Sequence, residues 1–331
     1  MDQKIVDEVV DTLKSGWITT GPKTKEFERE LTAYCGNKAT LAVNSNTIGL
    51  EVVLRWFGVQ EGDEVFVPAY TYCATANVIV HCGAKPVMVD VRADDFDISV
   101  ENVRKALTPR TKVVMPVDLG GMPCDYDAVF ALVESEEARA MFSPRTEEQR
   151  ELGRVLVLSD SAHSIGAEYK GRKAGSLADV SVFSFHAVKN LTTAEGGAIM
   201  LNLPEPFDNE EVYRYLCTFT LHGQNKDALA KTKKGAWRYD VLVSGFKGNM
   251  TDIQASIGLV ELRRYEEDTL VYRKHIFNRY EEAFKKYEWA ELPLYETAER
   301  RSSFHVYCLR VKGVTEEQRD DIIQRIFDRD V

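Results

Sequence analysis

The sequence predicts an α/β protein: a mostly parallel β-sheet sheathed by helices in a large domain, followed by a smaller α+β domain. Three observations carry that expectation. From residue 40 to about 202, short apolar runs alternate with helical patterns, the mark of strand–helix–strand units whose sheet is covered on both faces. After residue 250 the alternation gives way to a long helical stretch and a mixed tail. The chain's 331 residues, 44% hydrophobic and 28% charged, suffice for one large core or two moderate ones without disulfide staples.

At the amino terminus, Ile5, Val6, Val9, Val10 and Leu13 recur at helical spacing with acids between them, and the basic start and apolar stretch of an export signal are lacking. Strands are expected over 64–68, 86–91, 112–117, 154–159, 180–185 and 197–201, with helices over 47–57 and 100–107 among them. The charged run between Leu132 and Gly153 reads as a solvated helical excursion. Ile253, Ile257, Val260 and Leu262 open a helical stretch that continues to Lys286, and a strand over 305–311 and a charged helix over 315–328 follow. The expected division is a large domain over 1–250 and a connecting helix with a partial small domain over 251–331. That small domain reads as truncated, because no returning strand follows its amphipathic helix.

Composition removes several functions. No apolar run approaches the ~20 residues of a membrane span. Lys and Arg total 42 against 52 Asp and Glu, and the net charge of −10 repels nucleic acid and anionic membranes. The cysteines at 35, 73, 82, 124, 217 and 308 lie far apart, with no CxxC pair and no zinc spacing; they read as reduced thiols of a cytoplasmic protein with no metal. GxGxxG, GxxxxGK[ST], HExxH and GxSxG are all missing, which weakens dehydrogenase, P-loop, zincin and α/β-hydrolase readings.

Ligands of open α/β sheets bind beyond the carboxyl ends of strands. One expected strand runs into Asp160, and another leads through Ser184-Phe185-His186-Ala187-Val188 to Lys189. A lysine beside an aspartate at such a mouth suits pyridoxal phosphate, because the amine can form a Schiff base and the carboxylate can keep the pyridine nitrogen protonated.

Motifs along much of the chain strengthen this reading. Trp17-Ile18-Thr19-Thr20-Gly21-Pro22-Lys23, Asn44-Ser45-Asn46-Thr47, Gly62-Asp63-Glu64-Val65, Val67-Pro68-Ala69-Tyr70-Thr71-Tyr72, Asp160-Ser161-Ala162-His163 and Ser184 through Asn190 occur in order. They resemble the successive motifs of the DegT/DnrJ-type sugar aminotransferases, fold-type I pyridoxal phosphate enzymes, over about residues 16–265. The resemblance implies Lys189 as Schiff-base lysine and proton shuttle, Asp160 as partner of the pyridinium, and His163 as a contact to the ring oxygen. It also implies Tyr72 as the stacking aromatic, with Ser184 and the turn at Thr47 and Ile48 holding the phosphate. Residues Gly245 through Ala255 match the segment that reaches the phosphate of the neighbouring subunit, implying a homodimer with shared active sites, through Asn249 or else Lys247.

The usual small-residue phosphate turn is Ser45-Asn46-Thr47-Ile48 here, so a bulkier loop is expected. Because Lys189 is present where some members carry His, transamination is favoured over dehydration. Leu221-His222-Gly223, Trp237-Arg238-Tyr239-Asp240 and Gly245-Phe246-Lys247 resemble the branch acting at carbon 4 of nucleotide-linked 4-keto-6-deoxy sugars. That implies a UDP-linked acetamido hexulose as acceptor and glutamate as donor, with Lys23, Trp237 and Arg238 as candidate substrate contacts. The alternatives are another keto sugar, a keto-inositol, or a regulatory protein that binds the cofactor without turnover.

Overall fold

The structure, a computed structural model, describes residues 1–226 and 238–329. The strands of its main sheet are β1 (Ala39–Val43), β2 (Glu64–Pro68), β3 (Lys85–Val89), β4 (Thr111–Val114) and β5 (Leu156–Asp160). After a hairpin of β6 (Glu168–Tyr169) and β7 (Arg172–Lys173), β8 (Val180–Ser184) and β9 (Gly197–Leu201) complete it. The spatial order is β1-β9-β8-β5-β4-β2-β3. The pairs β2/β3, β2/β4, β4/β5 and β5/β8 are parallel, and β9 runs antiparallel to both β8 and β1.

β1, β2, β4, β5, β8 and β9 are buried along their whole length, as a sheet covered on both faces requires. The excursion within 132–153 folds as two short helices, Glu136–Met141 and Glu147–Leu152, whose Ala138, Gln149 and Leu152 are buried. β1 had no strand named for it in the sequence, since Ala-Thr-Leu-Ala-Val shows no alternation to set it apart from a buried helix.

Helix Pro22–Cys35 starts with proline at its first turn and stops at Gly36, whose φ of 71° is the left-handed cap that glycine adopts without strain. Its own residues do not cap its amino end. Asp252, fully buried at the start of helix Asp252–Arg263, accepts from the N–H groups of Gly21 (2.7 Å), Lys23 (3.0 Å) and Thr24 (2.9 Å) and from Thr24 Oγ1 (2.6 Å). Thr251, at the expected division between 1–250 and 251–331, is the N-cap of helix Asp252–Arg263, and the Asp252 carboxylate ties residues on either side of that position together.

The strand expected over 305–311 is corrected: of these residues only Arg310–Val311 (β12) forms a paired strand, with β10 (Ala290–Glu291). β11 (Arg300–Arg301) joins β6 instead, and the residues after it are drawn onto the large sheet's loops. Ser303 N donates to Gly121 O (2.9 Å), and His305 N and Val306 N both donate to Gly120 O (3.2 Å each). Those bonds replace a ladder, and Phe304 adopts a φ of 56° between them.

Candidate active site

β5 and β8 are parallel neighbours, with Asp160 opposite Val182, so their carboxyl ends open side by side. A cavity of about 510 Å3 lies there, lined among others by Thr47, Tyr72, Asp160, His163, Ser184 and Lys189. Residues that the sequence places up to 142 positions apart thus share one wall.

Asp160 is buried and anchored on both oxygens. Oδ1 accepts from Asn46 Nδ2 (3.1 Å) and Ala162 N (3.3 Å), and Oδ2 accepts from Thr75 Oγ1 (2.8 Å). Burial raises its pKa above the ordinary carboxylate value, against the opposing pull of those donors and of Lys189. Asn46, the first residue of helix Asn46–Trp56, also donates to Val182 O (2.8 Å), which joins the helix start to both central strands. Neither Asn46 nor Thr75 was singled out as an Asp160 partner in the sequence.

Lys189 sits in the turn after β8, its N–H donating to His186 O (2.9 Å). Burial lowers its pKa, with Asp160 opposing. His163 is pushed down to about 4, first by burial and then by the Lys189 charge. Its Nδ1 accepts from Gly120 N (3.3 Å), so in the neutral ring Nε2 carries the proton.

The turn at 45–48 begins helix Asn46–Trp56. Ser45 is its N-cap, accepting Ile48 N–H at 3.2 Å. Thr47 lines the cavity with Ser45 and Asn46, whereas Ile48, its N–H taken by the cap, is absent from the lining. The helix start presents its positive end to the cavity. Ser184 stands at the end of β8, and Tyr72, 76% exposed, forms an open rim.

The profile of the DegT/DnrJ/EryC1/StrS aminotransferase family matches residues 1–141 and 147–331. The chain belongs to this family. A Streptococcus pneumoniae protein assigned as a sugar aminotransferase superposes in its PMP form with a TM-score of 0.95 and 46% identity, over 100% of this chain and 82% of that one. Its PLP form gives 0.93 and 45%, over 99% and 81%. Spore coat polysaccharide biosynthesis protein SpsC of Bacillus subtilis is 37% identical over 318 residues, 95% of this chain and 75% of SpsC. An uncharacterised protein of Methanocaldococcus jannaschii is 38% identical over 307 residues, 92% of this chain and 73% of that protein. The fold is that of fold-type I PLP aminotransferases, and the family's enzymes are PLP-dependent sugar aminotransferases.

The donor set of the aminotransferase's cavity fits pyridoxal phosphate: a buried carboxylate with a cationic partner available to it, a primary amine, and a helix start for an anion. Other residues lie elsewhere. Lys23 has its ammonium held by Glu8 and Asp11 between the first two helices, and it does not line the cavity. Arg238 is exposed, its carbonyl accepting Lys226 Nζ (2.8 Å), and it too is absent from the lining. Trp237 lies outside the described residues.

Asn249 is not part of this chain's own cavity wall. Its Nδ2 donates to Thr20 Oγ1 (2.6 Å), while its buried Oδ1 has no hydrogen-bond partner. Lys247 is exposed beside it. Among the cavity residues that the sequence missed is His305, which lines it from the carboxyl-terminal segment. A histidine expected inside a strand carried no signal of that role.

Proposed function

We propose that this protein transfers an amino group from L-glutamate to carbon 4 of a UDP-linked 4-keto-6-deoxy acetamido hexose, in cytoplasmic amino-sugar synthesis for a glycan or polysaccharide. The observation that carries the reading is the meeting of Lys189 and Asp160 in one cavity at the carboxyl ends of β5 and β8. The similarity to a spore coat polysaccharide biosynthesis protein supports the product class. The carbon-4 assignment rests on the segments Leu221–Gly223 and Gly245–Lys247.

Bound pyridoxal phosphate supplies the electron sink that lets a donor α carbon lose its proton. Lys189 would hold the cofactor covalently, and its Nζ, made less acid-loving by burial, takes that proton and returns it. Asp160 would face the ring nitrogen with a charge held in place by Asn46 and Thr75. His163, neutral above about pH 4, would offer its Nε2–H to the ring oxygen without adding a charge. Tyr72, in the cavity lining, would give the flat ring an aromatic face. The phosphate would lie against the Thr47 N–H and Ser184 Oγ, with Asn249 reaching the cavity of a second subunit in a homodimer.

Borohydride reduction of the yellow protein, followed by peptide mapping, tests the site. The cofactor should be fixed to one peptide containing Lys189; label on any other lysine overturns the assignment. A panel of keto sugar nucleotides with glutamate tests the substrate, and turnover of a keto-inositol in preference to all of them refutes the carbon-4 reading.

A further inference from the structure

Asp118 stands between Val117 and Leu119, both in the cavity lining, yet its own side chain is fully buried and absent from that lining. Its Oδ1 accepts from Cys124 N (3.0 Å) and Tyr126 Oη (2.8 Å), and its Oδ2 from Ser164 Oγ (2.6 Å) and Ser161 Oγ (3.3 Å). Burial raises the pKa of Asp118, and those four donors oppose the rise. The hydrogens around it can be followed one by one. Tyr126 gives its single hydroxyl hydrogen to Asp118, so Ser159 Oγ, 2.6 Å from Tyr126 Oη, donates to the tyrosine. Ser161 Oγ, 2.7 Å from Ser159 Oγ, must then donate to that serine, and it shares the same hydrogen with Asp118 at the longer distance of 3.3 Å. Ser164 has no such competitor, its next acceptor being Ser161 O at 3.4 Å. The Ser164 bond is therefore the firmest hold of Asp118 on this segment.

Ser161 and Ser164 flank His163 in the sequence. The turn that starts at Asp118 supplies the Gly120 N–H to His163 Nδ1 (3.3 Å), and Asp118 N donates to Asp160 O (3.3 Å). Segments 118–121 and 160–164 are thus fastened at three places, of which the ring contact is at the long end for a hydrogen bond and too weak to place an imidazole by itself. The other bonds of the second segment leave its far end to Asp118. Ser161 N donates to Val182 O (3.0 Å) and Ala162 N to Asp160 Oδ1 (3.3 Å), both on the Asp160 side of the histidine. Ser303 Oγ donates to His163 O (2.5 Å), which holds the carbonyl and leaves the ring free to turn.

We propose that Asp118 is a positioning residue for His163: by holding Ser161 and Ser164 on either side of the histidine, its carboxyl group keeps Nδ1 against the Gly120 N–H and so keeps the ring's proton on Nε2. With Nδ1 occupied as an acceptor, the neutral imidazole has a single donor, and that is the one the cofactor's ring oxygen would receive. Without the fastening the proton is free to move to Nδ1. A lone pair on Nε2 would then meet an oxygen that needs a donor. Asp118 itself touches no reacting atom and acts only through the position of His163.

The inference rests on the reading that His163 serves the cofactor, and the test separates the two. In the full cofactor-free chain labelled with 15N-histidine, long-range 1H–15N spectra at about pH 8, far above the value of about 4 to which His163 is pushed, distinguish protonated from unprotonated ring nitrogens. A His163→Asn protein identifies the signals. Wild type should show His163 with Nδ1 unprotonated and Nε2 protonated. Asp118→Ala should raise the Nδ1–H form roughly tenfold, as loss of one hydrogen bond permits. Ser164→Ala leaves Asp118 its other three donors, so it should fold with a melting temperature near wild type and still raise the Nδ1–H form several-fold. In Asp118→Asn the amide oxygen can accept from Cys124 N and Tyr126 Oη while the NH2 donates to Ser164 Oγ, whose hydroxyl turns to Ser161 O; this variant should keep the wild-type tautomer. An unchanged tautomer in Ser164→Ala or in folded Asp118→Ala overturns the proposal, as does loss of the wild-type tautomer in Asp118→Asn. Should Asp118→Ala not fold, the other two variants decide. Failure of the functional reading shows separately, as wild-type protein whose borohydride label is not on Lys189.

Discussion

Replacing Asp160 by Asn removes one charge from the cavity with almost no change of shape. The hydrogen bonds around it can be re-formed. The new amide oxygen, placed at Oδ1, still accepts from Asn46 Nδ2 and Ala162 N, and its NH2 faces Thr75 Oγ1. Thr75 lies 2.8 Å from Thr71 Oγ1, so its hydroxyl can turn to donate there and accept from the amide. Folding should survive. In the cofactor-free protein the sign even favours the variant: an acid whose pKa is raised on folding binds its proton more tightly in the native state, so stability is lost as pH rises from 3.8 through the raised value. The wild type should therefore lose stability relative to Asp160→Asn across that window and remain below it at neutral pH, as melting temperatures against pH will show.

With cofactor the balance reverses. A charge-assisted hydrogen bond to the ring nitrogen contributes about 1.5–3 kcal/mol, so its loss should weaken cofactor binding roughly 10- to 150-fold. Charge that develops on the ring as the donor's proton leaves makes the kinetic effect larger, on the order of a thousandfold or more. Equilibrium dialysis and stopped-flow absorbance of the glutamate half-reaction measure the two effects. Near-wild-type rates in a folded, cofactor-saturated Asp160→Asn protein would refute the reasoning.

Mixing inactive Lys189→Ala and Asn249→Ala proteins under subunit exchange should restore part of the activity, since one hybrid site would be intact; an active monomer in sedimentation, or no recovery despite exchange, argues against a shared site. Asp252→Ala should strip the buried cap from helix Pro22–Cys35 and lower stability by roughly 3 kcal/mol or more, read by urea unfolding, whereas a loss below 1 kcal/mol would show that water replaces it. His163, held neutral down to about pH 4, binds fewer protons folded than unfolded between pH 4 and 6.5, so stability should fall as pH drops through that window. His163→Asn should flatten that slope in melting experiments, and an unchanged slope would remove His163 as its source.

Much of this protein could be read from its residues one after another. The apolar runs that became β2 and β9 have the limits expected of them, and Asp160 and Lys189 were recognisable because a strand end is a local feature whose place in an open sheet is general. Helix Asn46–Trp56 was legible for the same reason, its period being local. What the tertiary structure alone decided is the company these residues keep. Asn46 and Thr75 reach Asp160 across 114 and 85 residues, and Asn190 meets His305 across 115. No period or motif encodes such a separation; it is set by which strands lie side by side. Residues 305–309 show the converse. Their pattern suits a strand, but the hydrogen bonds of His305 and Val306 to Gly120 outweigh that preference, because β propensity is weak and a paired backbone group is satisfied equally well by a loop. Lys23, a candidate only as a local cation for an anionic substrate, is paired with Glu8 and Asp11, since a charge pairs with whatever the packing of the first two helices brings nearest.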